Sequence, residues 1–222
     1  MNAIILGSTG MIGKSVLLQC MEDEEVNSIL IINRNALEIT HQKVKEIILQ
    51  NVADISDQRD LLRQYDACFF CLGVSSVGMS EEQYNKITYD LTMKFARILV
   101  SVSPQAVFCY VSGSGTDSSE NGKLMWARVK GKTENALLSL PFKDAYMFRP
   151  GYIQPLKGVR AKSGVVNTLY VVFTPLYYIL RPFKGLVTDS VSLSKAMINV
   201  CKKGYNKKVI EIKDINILAG MK

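Results

Sequence analysis

The chain has 222 residues, enough for one α/β domain with a small appended lobe. Hydrophobic residues make up 48% and charged residues 21%, ordinary proportions for a chain with a large core, and the net charge is +7. With His41 as the one histidine, set in a charged stretch, His-based metal sites and catalytic triads are set aside and no metal is expected.

Taken in chain order, NAIILG (2–7) reads as a strand, and a helix opens over Lys14 to Met21. SILIIN (28–33) and VKEIILQ (44–50) are strands with no full helix between them. DACFFCLG (66–73) is a strand, followed by a long helix through EEQYNKITYDLTMKFARILVSV (81–102). QAVFCYVSG (105–113) is a strand, and a helix runs through LMWARVKGKTENALLSL (124–140). DAYMFRPG (144–151) and KKVIEI (207–212) complete the strands. Continuous Val/Ile/Phe runs, in place of alternating ones, belong to strands covered on both faces, as in parallel sheets. The β–α alternation therefore predicts an α/β, doubly wound parallel sheet. Residues 1–222 read as a single domain without repeats or linkers, with 152–206 forming a small lobe over the carboxyl edge of the sheet.

Five cysteines, Cys20, Cys68, Cys71, Cys109 and Cys201, lie mostly in apolar runs. Cys68 and Cys71 have CxxC spacing, but residues three apart on a strand point to opposite faces, so two core thiols are expected and not a zinc knuckle or redox dithiol. Reduced thiols, and a first segment that enters a strand pattern by Asn2 without a basic leader, predict a cytoplasmic protein.

The first strand runs into GSTGMIGKS (7–15), whose last three residues imitate the end of a nucleotide-triphosphate loop. That loop needs a glycine where Ser8 stands, and a companion strand ending in an acid, whereas ACFFCLG ends in Leu72-Gly73. A dinucleotide loop fits better. Gly7 allows the sharp turn, Gly10 lets backbone approach a pyrophosphate, and Gly13 lets the helix pack close to the strand. Ser8, Thr9, Met11 and Ile12 complete the loop, and the helix N-terminus offers free N–H groups to phosphate. The second strand ends in Asn33-Arg34, where NAD-specific sites usually carry an acid for the ribose hydroxyls. An arginine there accommodates a 2′-phosphate, so NADP is the expected cofactor, with NAD the alternative. Asp54 is a candidate for the adenine amino group or for a helix cap.

Together, GSTGMIG, CLGVSS, VSGSG, VKGKTENAL and FRPGYIQP resemble the atypical short-chain dehydrogenase/reductases, in particular the group around Tat-interacting protein 30. The likeness covers nearly the whole chain and weakens between 155 and 206. It implies a Rossmann-like NAD(P) domain with a small C-terminal substrate lobe. Catalytic members of the family pair a general-acid tyrosine with a lysine four residues on, and place a serine at the end of the fifth strand. By this resemblance Lys130 holds the nicotinamide ribose and Ser112 (or Ser114) is the serine. The segment Pro150, Gly151, Ile153 meets the carboxamide, and Leu72 and Gly73 border the cofactor. The tyrosine position holds Trp126, whose indole cannot exchange a proton near neutral pH. Tyr152 is the nearby candidate for a replacement acid. Two functions follow: an NADP-dependent oxidoreductase acting on a small carbonyl compound, or a non-catalytic NADP(H)-binding sensor that acts through a partner.

From Ala145 to Thr188 there is no acid, while Arg149, Lys157, Arg160, Lys162, Arg181 and Lys184 contribute six positive charges. This asymmetry predicts an anionic ligand or acidic surface nearby. The uncharged run 163–180 approaches the length of a membrane span, but Asn167, Thr168, Thr174 and Pro175 interrupt it and no span is expected. It is expected to wall a pocket for an apolar or anionic small molecule. A subunit interface, as in a homodimer, ranks second and an anionic membrane surface third. No nucleic-acid partner is expected.

Overall fold

The computed structural model of the protein describes residues 1–159, 174, 177–180, 183 and 185–221. Among these, strands β1 (Asn2–Leu6), β2 (Ser28–Asn33), β3 (Val44–Ile48), β4 (Ala67–Phe70), β5 (Val107–Val111), β6 (Asp144–Arg149) and β9 (Val209–Glu211) form one sheet in the order β3-β2-β1-β4-β5-β6-β9. Every neighbouring pair is parallel. The sheet therefore has the doubly wound Rossmann-like order, and the chain reverses its direction of growth between β1 and β4. Ligands of open α/β sheets bind in the crevice at such a reversal, at the carboxyl ends of the strands.

The apolar strand runs are continuous because both faces are covered. Ala3, Ile5, Phe69, Val107 and Cys109 face helices α1 (Met11–Glu22) and α5 (Ser190–Lys203). Ile4, Leu6, Cys68, Phe70, Phe108 and Tyr110 face α3 (Leu91–Val102) and a 3-10 segment over Val52–Leu62. Cys68 and Cys71 thus go to opposite faces, as a strand requires. Cys71 lies just beyond the end of β4 and is only half-buried, so it is a rim thiol and not the core thiol expected.

The long helix expected over 81–102 runs without a break, as α2 (Glu81–Asn85) and α3 joined by a π-helical turn over Lys86–Asp90 whose flanking residues all keep right-handed helical backbone. It starts at Ser80 with a reciprocal cap, in which the Ser80 hydroxyl accepts from Gln83 N–H and the Gln83 side chain accepts from Ser80 N–H. Helix α4 (Met125–Leu138) follows β5 and is tied to α2 by Arg128, which donates to both Glu81 oxygens.

Within 152–206, strands β7 (Tyr152–Gln154) and β8 (Val187–Asp189) pair in a separate parallel ribbon. Ser190–Lys203 instead joins the main body as α5. Asp189 caps it by accepting from Ser192 N–H at 2.8 Å, and the Ser15 hydroxyl of α1 donates to Ser190 O at 2.8 Å. The final helix, α6 (Ile212–Leu218), packs beside α5.

Of the run 163–180, Thr174 and residues 177–180 are described; its remainder, including Tyr170 and Pro175, lies outside the described residues, as do Arg160, Lys162, Arg181 and Lys184. Tyr177 is buried with its hydroxyl donating to Asp189 Oδ2 at 2.9 Å, whereas Tyr178 and Ile179 are exposed. The other two cations of the acid-free stretch are already paired: Lys157 with Glu22 at 2.6 Å, and Arg149 with the buried Glu134. Among the described residues, no helix is long and apolar enough to cross a membrane.

Candidate functional site

The site begins at the carboxyl end of β1. Gly7 turns the chain at φ +81°, a conformation that glycine adopts without a side-chain clash. The turn closes through Gly10 N–H, which donates to Gly7 O at 2.9 Å. A Cβ on Gly13 would stand 2.2 Å from Gly7 O, so the first turn of α1 lies directly on the loop. A Cβ on Gly7 would stand 2.8 Å from Cys71 O, so the loop is pressed from the β4 side as well. The first N–H groups of α1, from Met11 to Gly13, precede the first intrahelical bond, Lys14 N–H to Gly10 O at 2.9 Å, and so stand at the positive end of the helix. A Cβ on Gly73 would meet nothing within 4 Å, which leaves open space beside Leu72. These features fit an extended dinucleotide: a tight turn, a helix N-terminus and clearance past β4.

Around this loop, Ser8 is fully buried and its hydroxyl donates to Asn33 Oδ1 at 2.8 Å. The Asn33 amide donates in turn to Glu46 Oε1 at 2.8 Å. The polar side chains of Ser8 and Asn33 are thereby held within the protein, where they brace the loop against β2 and β3. Thr9 and Arg34 are exposed, and Met11 and Ile12 are half-buried. Asp54 is exposed in the 3-10 segment, where its N–H donates to Asn51 O at 2.9 Å.

The second half of the site lies where β5 and β6 end. Their loops are joined by Ser112 N–H to Phe148 O and Ser114 N–H to Pro150 O, each at 2.9 Å. Helix α4 brings Lys130 to this junction, where its ammonium donates to Ser112 O. Burial pushes Lys130 down to about 8, and the Glu134 carboxylate opposes that shift. Trp126 lies one turn earlier on the same helix face and is half-exposed. Its ring covers Gly115, where an added Cβ would approach the indole to 3.5 Å. The indole thus stands over the β5–α4 loop, on the side of the helix that carries Lys130, and outside the core.

The Ser112 hydroxyl donates to Glu134 and lies 3.1 Å from Phe148 O. Glu134 is fully buried and pairs with Arg149, which also donates to Ser118 and approaches Glu211 at 3.6 Å. The Glu134 carboxylate raises the Arg149 guanidinium above its ordinary value. Tyr152 does not point its hydroxyl proton at this cluster: it donates to Gln154 Oε1 at 2.7 Å. Pro150 and Ile153 are buried and Gly151 is exposed.

Sequence reasoning missed two features here. Glu134 and Arg149 were visible within VKGKTENAL and FRPG, with Glu134 one helical turn beyond Lys130, but their partnership joins α4 to β6 across the loop. Gly131 is required by packing: its Cβ would stand 1.8 Å from Asp117 O. Among the described residues, no group of three or more His, Cys, Asp or Glu side chains is placed to hold a metal ion.

No family model matches the chain. It is 24% identical to "Protein FMP52, mitochondrial" of Meyerozyma guilliermondii, over 94% of this chain and 98% of that protein. To the protein of the same name from Debaryomyces hansenii it is 25% identical, over 88% of each. Among solved structures, a short-chain dehydrogenase/reductase from Saccharomyces cerevisiae superposes with a TM-score of 0.69 at 13% identity, covering 99% of this chain and 98% of that one. A Burkholderia cenocepacia short-chain dehydrogenase in complex with NADP gives 0.66 at 11% identity, covering 93% and 86%. The Bordetella bronchiseptica enzyme WbmF in complex with NAD+ gives 0.64 at 15%, covering 98% and 76%. The fold is therefore that of the short-chain dehydrogenase/reductases, and the last two of these neighbours are complexes with NADP and NAD+. The cytoplasmic location expected from the cysteines is corrected by the relatives, whose names point to mitochondria.

Proposed function

We propose that the chain is an NADP(H)-binding oxidoreductase of the atypical short-chain kind, allied to the group around Tat-interacting protein 30, and that it reduces a small carbonyl compound. The observation that carries this reading is the loop from Gly7 to Gly13, locked between α1 and the end of β4 at the carboxyl end of β1, where a helix N-terminus follows it directly. A nicotinamide cofactor bound there supplies hydride. The N–H groups of Met11, Ile12 and Gly13 receive the pyrophosphate oxygens. Arg34 meets the 2′-phosphate and Asp54 the adenine amino group, Leu72 and Gly73 border the adenosine, and Lys130 holds the nicotinamide ribose. The backbone of Pro150, Gly151 and Ile153 orients the carboxamide.

The proton is the weak point of catalysis in this site. Trp126 has no exchangeable proton near neutral pH. Ser112 commits its hydroxyl hydrogen to Glu134, which makes it a poor donor to a substrate oxygen. Water remains, or Tyr152 once its bond to Gln154 opens. The same two observations favour a second reading, a cofactor-binding sensor without turnover that works through a partner. NADPH oxidation against a panel of aldehydes, ketones and quinones, beside a binding titration, separates the two. Binding with turnover supports the enzyme, and saturable binding without turnover supports the sensor.

Two substitutions refine the reading. The chain is expected to bind NADPH at least about tenfold more tightly than NADH, roughly 1.4 kcal/mol, through a charge-assisted contact at Arg34. Arg34→Ala should remove most of that preference and leave NADH affinity nearly unchanged; equal affinities in the parent would sink the assignment. Trp126→Tyr places a phenol one turn before Lys130 and is expected to raise carbonyl reduction by roughly 10²–10⁴-fold. An unchanged rate, in a variant that melts like the parent, would mean that the missing acid is not what limits the site.

A further inference from the structure

We propose that Cys109 and Cys201 form an oxidation site, at which a hydroperoxide oxidises Cys201 and Cys109 then closes a disulfide with it. The two residues are 92 positions apart, yet their Sγ atoms lie 3.5 Å from each other where α5 crosses the sheet. Cys109 is fully buried on β5, and Cys201 is half-buried in the last turn of α5. A disulfide needs about 2.0 Å between the sulfurs, so closure requires the two sulfurs to approach by about 1.5 Å, with Cys201 in the last turn of its helix.

Their exposures divide the labour. Cys201 is the less buried residue of the pair, so it is the one that meets the oxidant. Its S–O bond forms as the O–O bond of the hydroperoxide breaks, and the alcohol (or water) leaves, giving a sulfenic acid. Burial holds the Cys109 thiol well above its ordinary range, so Cys109 is a poor target for free oxidant and acts through its enforced contact with Cys201. Its sulfur attacks the sulfenic sulfur, the S–S bond forms, and the hydroxyl leaves as water with the Cys109 proton. The sulfurs lose two electrons in all, taken up by the hydroperoxide. Cys20 and Cys71 share this face of the sheet, and Cys71 is half-buried like Cys201, but the sulfur–sulfur contact is made by Cys109 and Cys201; desolvation also raises the Cys20 thiol, and the Cys71 thiol to about 12. The bridge pins α5 to β5 three residues before Ser112.

The test needs neither cofactor nor activity. The reduced chain is treated with graded hydrogen peroxide, alkylated, and mapped by mass spectrometry. The expected product is a monomer two hydrogens lighter, with one cross-linked peptide pair containing Cys109 and Cys201. Cys109→Ser should accumulate a Cys201 sulfenic acid that dimedone captures, and Cys201→Ser should leave Cys109 reduced. The proposal is overturned if the parent resists peroxide, if Cys201 only takes up oxygen, or if it bridges to Cys20, to Cys71 or to a second chain. The parent map decides even where a variant fails to fold.

Discussion

Gly13→Ala is expected to cost at least about a hundredfold in NADPH affinity, near 2.8 kcal/mol, and to lower the melting temperature as well. The added methyl would sit 2.2 Å from Gly7 O and 2.6 Å from Gly7 C. Both are backbone atoms, so no side-chain rotation relieves the clash. Gly7 cannot retreat either, because Cys71 O and Leu72 N close the other side of the turn. Helix α1 must therefore tilt away from the loop, and its N-terminal N–H groups are displaced with it. Gly73→Ala is the control for stability alone: its Cβ meets nothing within 4 Å, so its melting temperature should be unchanged, while its affinity is no control because Gly73 borders the proposed cofactor. Titration and thermal melting of both variants check this, and a Gly13→Ala chain that kept both properties would contradict the packing of α1 on the loop.

Glu134→Ala is expected to destabilise the chain by about 3–5 kcal/mol, the usual cost of removing one partner of a buried ion pair. The Glu134 side chain is 1% exposed and that of Arg149 11%. The substitution takes the carboxylate from a largely buried guanidinium, leaving it Ser118 and the more distant Glu211, and leaves the Ser112 hydroxyl only Phe148 O at 3.1 Å. Glu211, at 3.6 Å and half-exposed, compensates only in part. Replacing both partners with apolar residues, as in Glu134→Leu with Arg149→Met, should recover most of the loss, since the desolvation cost then disappears. Urea unfolding of the single and double variants measures both numbers. A single variant within about 1 kcal/mol of the parent would show that this pair does not hold α4 to β6.

The parts of the molecule that were legible in the sequence are those whose cause is local. Apolar runs covered on both faces marked the strands, and three glycines at fixed spacing recorded a backbone clash between Gly13 and Gly7. Lys130 was singled out by the family resemblance of VKGKTENAL and not by a local cause; the structure places its ammonium on Ser112 O, at the junction of the β5 and β6 loops. What the sequence concealed depends on partners distant along the chain. Asn33 stands where a cofactor contact is expected, yet its amide is held by Ser8 and Glu46. Ser112 stands where a catalytic serine is expected, but its hydroxyl serves Glu134, 22 residues away. The contact between Cys109 and Cys201 has no sequence signature at all. Helix α5 did have one, in the Asp189 cap followed by Leu193, Ala196, Met197 and Val200 at helical spacing.

Whether the turn from Gly7 to Gly13 holds a dinucleotide is measured by calorimetric titration of the folded chain with NADPH and NADH. The expected result is saturable binding of one NADPH per chain, weaker binding of NADH, and loss of both in Gly13→Ala. A folded parent chain that saturates with neither dinucleotide would contradict it.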